Sequence, residues 1–325
     1  MIKFNFMKKL FLSSFFAVFV GLTLLFAFLN SQNSNISTYS PLPNFLTLFK
    51  NGQVSTLSVW IPQLNSQVIG SIIKTPEVSA RASLMYDLTT NKVLFKKNIK
   101  EKLPMASLTK IMTAIVALEN KKKDDKYVVT KKDLIGEDSM GLEAGEVLSL
   151  EELLYGLILH SGNDAAETIA NNFPGGRTKF IEAMNNKVRS LGLSDTNFTN
   201  PTGLEGDGKQ YTTAYDLIVI TRYAVLNFPL FDEVVSTFDY NISQTKTHKA
   251  YFLENETNLL TSYPGVKGIK TGYTPEAGFC LVTYLDYRGH KIIGILLGSD
   301  NRRDEMKELL DYSLKILGIE IPKHG

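Results

Sequence analysis

Three short groups of residues in this sequence could together carry out nucleophilic chemistry. In the first group, Ser107 and Lys110 are three residues apart, so that on a helix the hydroxyl and the amine would lie on one face. The lysine could then take the serine proton, and a helix starting here would offer free backbone N–H groups to developing negative charge. The pattern alone is weak, because residues 71–74 and 243–246 repeat it.

The other two groups could bind a substrate. Ser161 and Asn163 follow an apolar run over residues 153–159, although residues 31–33 repeat their spacing. The third group, Lys270-Thr271-Gly272, occurs once, on a stretch predicted to be a strand. There the lysine and the hydroxyl could bind a carboxylate, and the glycine would let a substrate backbone approach closely. The three groups together are candidates for the residues of one site.

The elements that must position these groups follow from the spacing of apolar residues. Residues 82–87 and 93–95 flank a polar turn and predict a β-hairpin. Helices are predicted over 108–120, 150–171, 177–191 and 214–226, then strands over 279–285 and 291–297, and a last helix over 303–317. This order predicts a sheet assembled from the two ends of the domain, a largely helical insertion, and a site in the cleft between them.

Length, composition and charge exclude several classes of protein. The chain has 325 residues, 44% hydrophobic and 21% charged, as is usual for packed globular proteins. Its 35 Lys and Arg against 33 Asp and Glu give a net charge of +2, which provides no bulk electrostatic case for nucleic-acid binding. Cys280 is the single cysteine, so no internal disulfide can form, and the four histidines show no metal-binding spacing. We expect no metal and no organic cofactor.

The amino terminus predicts a membrane anchor. Three lysines, Lys3, Lys8 and Lys9, precede the uncharged residues 10–29, a stretch of the roughly 20 residues that span a bilayer. No clean small-x-small cleavage site ends it, so we expect an uncleaved anchor, with the lysines inside and the rest of the chain outside. The predicted divisions are 1–30, a transmembrane signal anchor, 31–79, a linker, and 80–325, a catalytic domain.

Taken together and in this order, the three groups resemble those of the low-molecular-mass penicillin-binding proteins of the serine-type D-alanyl-D-alanine carboxypeptidase family. The resemblance extends from about residue 76 to residue 317. Its family-like stretches are 104–114, 139–142, 161–166, 200–204, 258–260 and 268–274. It implies an α/β (α+β) fold of the β-lactamase and penicillin-binding-protein transpeptidase type, in which helices flank an antiparallel sheet and form a helical subdomain.

The resemblance also implies a role for each site residue. The catalytic residues would be Ser107 as nucleophile, Lys110 as its general base and Ser161 as a proton relay. The binding residues would be Asn163 for the substrate amide, Lys270 and Thr271 for the terminal carboxylate, Gly272 beside them, and the N–H groups of Tyr273 and Ser107 for the oxyanion. An amine is a base near neutral pH only if its pKa is lowered, and burial of Lys110 beside Lys270 would lower it.

The activity that the resemblance implies is that of a serine-type D-Ala-D-Ala carboxypeptidase. Such a hydrolase removes the terminal D-alanine of peptidoglycan stem peptides through an acyl-enzyme, and β-lactam antibiotics inhibit it covalently. The expected location is the bacterial cell membrane, with the catalytic domain outside the cytoplasm and attached through the amino-terminal helix. The other partners implied are peptidoglycan stem peptides and β-lactams, with no nucleic acid.

Three other functions remain open at this point. A D,D-endopeptidase that cleaves peptidoglycan cross-links would use the same residues. A class A β-lactamase would need a deacylating glutamate with a nearby asparagine between the second and third groups, and residues 200–213 do not show that element. A non-catalytic wall-binding scaffold would not need five intact site residues. His160, Cys280 and the lysine-rich residues 121–126 have ordinary structural interpretations.

Overall fold

The computed structural model describes residues 59–64 and 73–324. All of them belong to one compact unit. The predicted anchor over residues 10–29 lies outside the described residues, as does most of the predicted linker. In the part of the chain that is described, no helix is both long and apolar enough to cross a membrane.

The described residues form one large antiparallel sheet and two small ones. In chain order the strands are β1 (Ala82–Asp87), β2 (Lys92–Lys97), β3 (Tyr127–Val128), β4 (Val147–Leu148), β5 (Asp239–Ile242), β6 (Tyr251–Glu254), β7 (Val266–Thr274), β8 (Gly278–Tyr287) and β9 (His290–Ser299). β3 pairs with β4, and β5 pairs with β6. The large sheet has the order β2-β1-β9-β8-β7.

The large sheet joins the two ends of the domain. β1 pairs with β9, so that Ala82 lies opposite Leu297 although more than two hundred residues separate them in sequence. β7 forms one edge of this sheet. The predicted arrangement, strands from both ends of the domain with helices inserted between them, is confirmed.

Side chains cap the start of three of the eight α-helices in the described residues. In chain order the helices are α1 (Thr109–Glu119), α2 (Leu150–Leu159), α3 (Asn163–Asn171), α4 (Gly176–Ser190), α5 (Ala214–Asn227), α6 (Pro229–Ser236), α7 (Leu259–Ser262) and α8 (Arg302–Ile316). Ser149 and Glu152 form a capping box at the start of α2, and Thr213 accepts a hydrogen bond from the Asp216 N–H at the start of α5. These caps satisfy N–H groups that have no partner within the helix.

The prediction of one helix over residues 150–171 is wrong, because α2 and α3 are separate helices. Ser161 adopts φ 54°, in the left-handed region, and Gly162 follows it outside the helical conformation. Apolar spacing continues on both sides of this break, so the sequence pattern did not reveal it. The sequence also gave no prediction for α6 or for the β5–β6 hairpin.

Two apolar cores lie on opposite faces of the large sheet. Because successive side chains of a strand point to opposite faces, Ile293 and Ile295 of β9 lie in the core shared with the inserted helices. Ile292 and Leu296 lie in the second core, which α8 covers. The sheet is therefore buried on both faces.

Residues 59–64 pack against the domain. The Trp60 ring meets the Tyr86 ring edge to face, with 5.4 Å between the ring centroids. The Arg222 guanidinium lies 4.4 Å from the centroid of the Trp60 ring, as in a cation–π contact. This short segment of the predicted linker is thus seated on the folded domain.

Candidate active site

Ser107 lies in a tight turn immediately before α1. Residues Ala106–Leu108 form one turn of 3-10 helix, and the Thr109 hydroxyl donates a hydrogen bond to the Ala106 carbonyl at 2.8 Å. Ala106 adopts φ 48°, a left-handed conformation that costs a residue with a side chain about 1–2 kcal/mol. Among the described residues, the Ser107 N–H has no backbone acceptor. The turn therefore leaves both the hydroxyl and the N–H of Ser107 available to a substrate.

Lys110 is fully buried, and its amine has three neighbouring oxygen atoms. Nζ lies 2.9 Å from Ser107 Oγ, 2.7 Å from Asn163 Oδ1 and 2.9 Å from the Thr202 carbonyl oxygen. The amide and carbonyl oxygens can only accept, so they take both N–H bonds of a neutral amine. The lone pair then points at Ser107 Oγ, the one neighbour of the three that can donate a proton. This geometry suits a general base acting on a hydroxyl nucleophile.

Two buried lysines share the site, and burial lowers the pKa of both. Burial, followed by the positive charge of Lys270, holds the pKa of Lys110 well below that of a free lysine. Burial lowers the pKa of Lys270 to about 8, with Glu256 opposing this shift and Arg302 adding to it. The surroundings therefore favour a neutral Lys110 beside a charged Lys270.

The break between α2 and α3 supplies Asn163 and Ser161. Asn163 is the first residue of α3, and its Nδ2 donates to the Glu137 carbonyl at 3.2 Å while its Oδ1 accepts from Lys110. Ser161 is only 2% exposed. Within the described residues its hydroxyl forms no hydrogen bond to Ser107 or Lys110, because the Lys110 amine is bonded to Ser107, Asn163 and Thr202. Its role as a proton relay stays a prediction.

Asp164 fixes the loop that orients Asn163. Its buried carboxylate accepts hydrogen bonds from the N–H groups of residues 140–142 and from the Ser139 hydroxyl. Glu137, whose carbonyl holds the Asn163 amide, lies just before this turn. Residues 139–142 were family-like in sequence, but nothing there predicted that a buried carboxylate would hold them.

Lys270-Thr271-Gly272 lies on the edge strand β7, next to the Ser107 turn. A Cβ atom on Gly272 would lie 2.9 Å from the Ser107 nitrogen, closer than real Cβ atoms approach, so only glycine lets the strand and the turn meet. Lys270 and Thr271 are buried, and the Tyr273 side chain is exposed. The structure thus brings the first and third sequence groups together.

Arg302, the first residue of α8, contacts the same strand. Its Nη1 donates to the Gly272 carbonyl at 2.7 Å. Its guanidinium also lies 5.3 Å from the centroid of the Phe279 ring. The sequence carried no signal for Arg302, because an arginine at the start of a helix has many ordinary uses.

The Thr202 carbonyl, which accepts a hydrogen bond from Lys110, lies in a turn over residues 200–204. Gly203 adopts φ 93°, and a Cβ atom there would overlap the Ala106 carbonyl. This turn is thereby packed directly against the turn that carries Ser107. Its sequence was family-like, but a backbone carbonyl leaves no side-chain signature, so its contact with Lys110 was not predicted.

Several other residues were predicted to have structural roles. Cys280 is buried on β8, and burial raises the pKa of its thiol to about 11, which keeps it protonated. Lys121 pairs with Asp125 in the lysine-rich segment, at 2.9 Å. Residues 59–64 and 73–324 contain no group of three His, Cys, Asp or Glu side chains placed to hold a metal ion.

Comparison with known proteins finds relatives that are named D-alanyl-D-alanine peptidases. The profile of the Peptidase S11 family, described as D-alanyl-D-alanine carboxypeptidase, matches residues 70–301. The D-alanyl-D-alanine carboxypeptidase DacF of Bacillus subtilis is 33% identical over 243 residues, which cover 72% of this chain and 62% of DacF. A D-alanyl-D-alanine endopeptidase of Pseudomonas aeruginosa is 32% identical over 213 residues, which cover 63% of this chain and 67% of that protein. The chain therefore spans less than two thirds of the length of DacF.

Solved structures have the same fold. The DD-transpeptidase of Streptomyces K15 matches with a TM-score of 0.70 and 32% identity, covering 75% of this chain and 100% of that one. Penicillin-binding protein D2 of Listeria monocytogenes, in its cefotaxime-bound form, matches with a TM-score of 0.65 and 28% identity, covering 74% of this chain and 100% of that one. The predicted penicillin-binding-protein fold, with an antiparallel sheet and helices, is confirmed. With this fold and a family profile that matches most of its length, the chain belongs to the Peptidase S11 family of D-alanyl-D-alanine carboxypeptidases.

Proposed function

We propose that this protein is a serine-type D-Ala-D-Ala carboxypeptidase that removes the terminal D-alanine from peptidoglycan stem peptides. The observation that carries the proposal is the placement of Lys110. Its amine is buried 2.9 Å from Ser107 Oγ, and two acceptors occupy its other hydrogen-bonding directions. Burying an amine is costly, and a buried amine with a depressed pKa beside a hydroxyl is typical of a catalytic site.

The first chemical step is acylation of the serine. Ser107 Oγ attacks the carbonyl carbon of the penultimate D-alanine while its proton passes to neutral Lys110. The N–H groups of Ser107 and Tyr273 stabilise the resulting oxyanion. When the tetrahedral intermediate collapses, the C–N bond breaks, and the amine of the terminal D-alanine takes the proton, relayed from Lys110 by Ser161. An ester between the stem peptide and Ser107 remains.

The second step is hydrolysis of this ester. A water molecule gives a proton to Lys110, which is neutral again, and attacks the ester carbonyl within the same oxyanion hole. Collapse breaks the bond to Ser107 Oγ, which regains a proton from Lys110. The shortened stem peptide then leaves.

Substrate specificity comes from the terminal carboxylate. The Lys270 ammonium is buried and forms no hydrogen bond to any other described residue, so it can bind an anion without first breaking a bond. Thr271 adds a hydroxyl beside it, and Asn163 holds the amide of the substrate. A β-lactam carries both an amide and a carboxylate in similar positions, so it should acylate Ser107 covalently.

A D,D-endopeptidase is the second candidate function. The Pseudomonas aeruginosa relative is named an endopeptidase, although its sequence is about as similar to this chain as that of DacF. Both reactions use the same nucleophile, base and carboxylate site, and they differ in the amine that is expelled when the acyl-enzyme forms: free D-alanine for the carboxypeptidase, and the amine of a cross-linked peptide for the endopeptidase. A class A β-lactamase is less favoured, because Glu205, the one glutamate within residues 200–213, accepts a hydrogen bond from the Glu276 N–H on the β7–β8 turn.

The proposed location follows from the substrate and from the amino-terminal sequence. Peptidoglycan lies outside the cytoplasmic membrane, so the catalytic domain must work there. We propose that residues 10–29 anchor the chain in the bacterial cell membrane and that the domain from residue 80 onward is extracytoplasmic.

The first prediction concerns the nucleophile. A fluorescent penicillin should label the full-length protein covalently, and mass spectrometry of the digested protein should find the added mass on the peptide that contains Ser107. Ser107→Ala should abolish the labelling, because within the described residues Ser107 carries the one hydroxyl that is hydrogen-bonded to the Lys110 amine. Ser190→Ala, which removes a hydroxyl on α4 bonded to the Lys187 carbonyl, is the matched control and should be labelled like the wild type. Undiminished labelling of Ser107→Ala would refute the assignment.

The reaction itself is tested with purified peptidoglycan fragments. Release of free D-alanine from uncross-linked stem peptides would support the carboxypeptidase. Conversion of cross-linked dimers to monomers without that release would instead identify the endopeptidase.

A further inference from the structure

The direction of the Lys110 lone pair depends on a backbone carbonyl that no regular element holds. The Thr202 carbonyl is one of the two acceptors that take the N–H bonds of neutral Lys110. Residues 200–210 contain neither helix nor strand. If this carbonyl moved away, the amine could rotate and donate an N–H bond to Ser107 Oγ, and its lone pair would no longer face the serine proton. Contacts other than those of a helix or strand must therefore hold the loop that carries the Thr202 carbonyl.

The first support is the side chain of Asn200, which is buried beneath the turn. Its Oδ1 accepts hydrogen bonds from the Thr202 N–H at 3.2 Å, the Thr202 hydroxyl at 3.1 Å and the Gly203 N–H at 2.8 Å. Its Nδ2 donates to the Leu204 carbonyl at 2.8 Å. One side chain therefore fixes the peptide plane that contains the Thr202 carbonyl and the plane before it.

The second support is Gln210, which joins this turn to the nucleophile helix. Its Oε1 accepts from the N–H groups of Thr199, at 2.9 Å, and Asn200, at 3.3 Å. Its Nε2 donates to Thr109 Oγ1 at 3.1 Å and lies 3.5 Å from Asn200 Oδ1. Thr109 in turn donates to the Ala106 carbonyl, beside Ser107. A single amide thus connects the turn that carries the Thr202 carbonyl to the turn that carries the nucleophile.

We propose that Gln210 is a positioning residue for the reaction: its amide holds the Thr202 carbonyl against Lys110, so that the Lys110 lone pair points at Ser107 Oγ. Gln210 hydrogen-bonds to neither Ser107 nor Lys110, and it acts through Asn200 and Thr109. The inference rests on the proposed function, because it concerns the base of that reaction.

Both halves of the amide are needed for this role. Its oxygen faces two N–H donors, and its nitrogen faces two oxygen atoms. Gln210→Met keeps the length of the side chain and removes both kinds of hydrogen bond. Gln210→Glu keeps the size and the acceptor, but it places an oxygen where the donor to Thr109 and Asn200 stood.

The experiment measures acylation of the full-length protein by a fluorescent penicillin, with the rate constant of acylation and the constant for noncovalent binding determined separately. In Gln210→Met the rate constant should fall about tenfold to a hundredfold, as is usual when reacting groups are misplaced. Noncovalent binding should change by less than about twofold, since Lys270 and Thr271 remain in place. Asn197→Ala is the matched control, because Asn197 donates to the Lys209 carbonyl in the same loop but contacts neither turn.

A mutant cycle separates positioning from general support of the fold. Lys110→Ala should acylate slowly, and in that background Gln210→Met should have little further effect, because the base through which Gln210 acts is absent. Thermal melting identifies any variant that does not fold, and Gln210→Glu is then measured in place of Gln210→Met.

The possible outcomes are distinct. An unchanged rate constant in the Gln210 variant, an equal loss in Asn197→Ala, or a full further loss in the Lys110→Ala background would overturn the proposal. A wild-type protein that penicillin does not acylate at Ser107 would refute the proposed function itself, and the role of Gln210 with it. A fall in the acylation rate constant that is confined to the Gln210 variant, and that disappears in the Lys110→Ala background, supports both the proposed function and the role of Gln210.

Discussion

Lys110 and Lys270 have the same side chain but are proposed to work in opposite charge states. Lys110 must be neutral to take a proton, and Lys270 must be charged to bind a carboxylate. The difference comes from their surroundings. Lys110 has two fixed acceptors for the N–H bonds of a neutral amine, and the charge of Lys270 adds to the effect of burial in lowering its pKa, whereas burial leaves the pKa of Lys270 at about 8, above neutral pH.

These two lysines predict how acylation by penicillin depends on pH. The rate constant of acylation should rise with pH until Lys110 is fully deprotonated. Noncovalent binding of penicillin should weaken as the pH rises through about 8, where Lys270 loses its charge. Stopped-flow measurement of both constants on each side of that pH tests the assignment.

Lys270→Arg is the control for the predicted pH dependence of noncovalent binding. A guanidinium stays charged throughout this range, so the weakening of binding above the pKa of Lys270 should disappear in this variant. Wild-type binding that stays constant across the same range would contradict the role of Lys270 in holding the carboxylate.

At the scale of elements, the site is built where irregular segments meet regular ones. Ser107, the proposed nucleophile, precedes α1, Asn163 begins α3, and Lys270 lies on the edge strand β7. Glycines at two contacts let these segments approach. Gly272 admits the Ser107 turn against β7, and Gly203 admits the same turn against the loop below it.

Gly203 and Gly206 form a matched pair for testing this packing. Both adopt positive φ, but a Cβ on Gly203 would overlap the Ala106 carbonyl, whereas one on Gly206 would meet nothing within 4 Å. Gly206→Ala should lower the free energy of unfolding by about 1 kcal/mol, the strain of alanine in a left-handed conformation. Gly203→Ala should lower it by about 3 kcal/mol, because overpacking adds to that strain, and should also slow acylation. Denaturant unfolding of both variants measures the free energies of unfolding, and penicillin labelling measures acylation. Equal losses of stability in the two variants would show that the contact with Ala106 is unimportant.

Much of this architecture could be predicted from the sequence, because it follows from local patterns. The bounds of α1, α4, α5 and α8 agree with the apolar spacing to within one or two residues. The motifs also located Ser107 and Lys110. The break at Ser161 could not be predicted, since it depends on a backbone conformation that tertiary contacts impose. Arg302 and the Thr202 carbonyl could not be predicted either, because long-range packing brings them to the site.

At the scale of the whole molecule, the proposed anchor and the catalytic domain are connected through a segment that is partly seated on the domain. Trp60 packs on Tyr86 and under Arg222. A shortened chain should therefore begin before Trp60 if the domain is to keep this contact.

The anchor predicts how the protein fractionates. The full-length chain should stay in the membrane fraction in high salt with its amino-terminal residues intact, because about 20 apolar residues hold it. A reporter fused after Gly325 should be active only if it works outside the cytoplasm. The control is a chain that starts at Val59, which should be soluble and still react with penicillin. A new amino terminus near Asn30, with the protein free in the soluble fraction, would show that residues 10–29 are a cleaved signal instead.

The pairing of β1 with β9 also bears on when the proposed active site can first form as the chain folds. With the proposed anchor, β1 would cross the membrane early, and it has no neighbour on its β9 side until β9 has followed it. Pairing between strands so distant in sequence forms slowly, because a long loop must close before any stabilising contact between them can form. The Ser107 turn likewise lacks its contact with Gly272 until β7 has followed it. An incomplete chain would therefore carry the proposed nucleophile without the proposed carboxylate site, so the proposed hydrolysis could begin only after these later strands are in place.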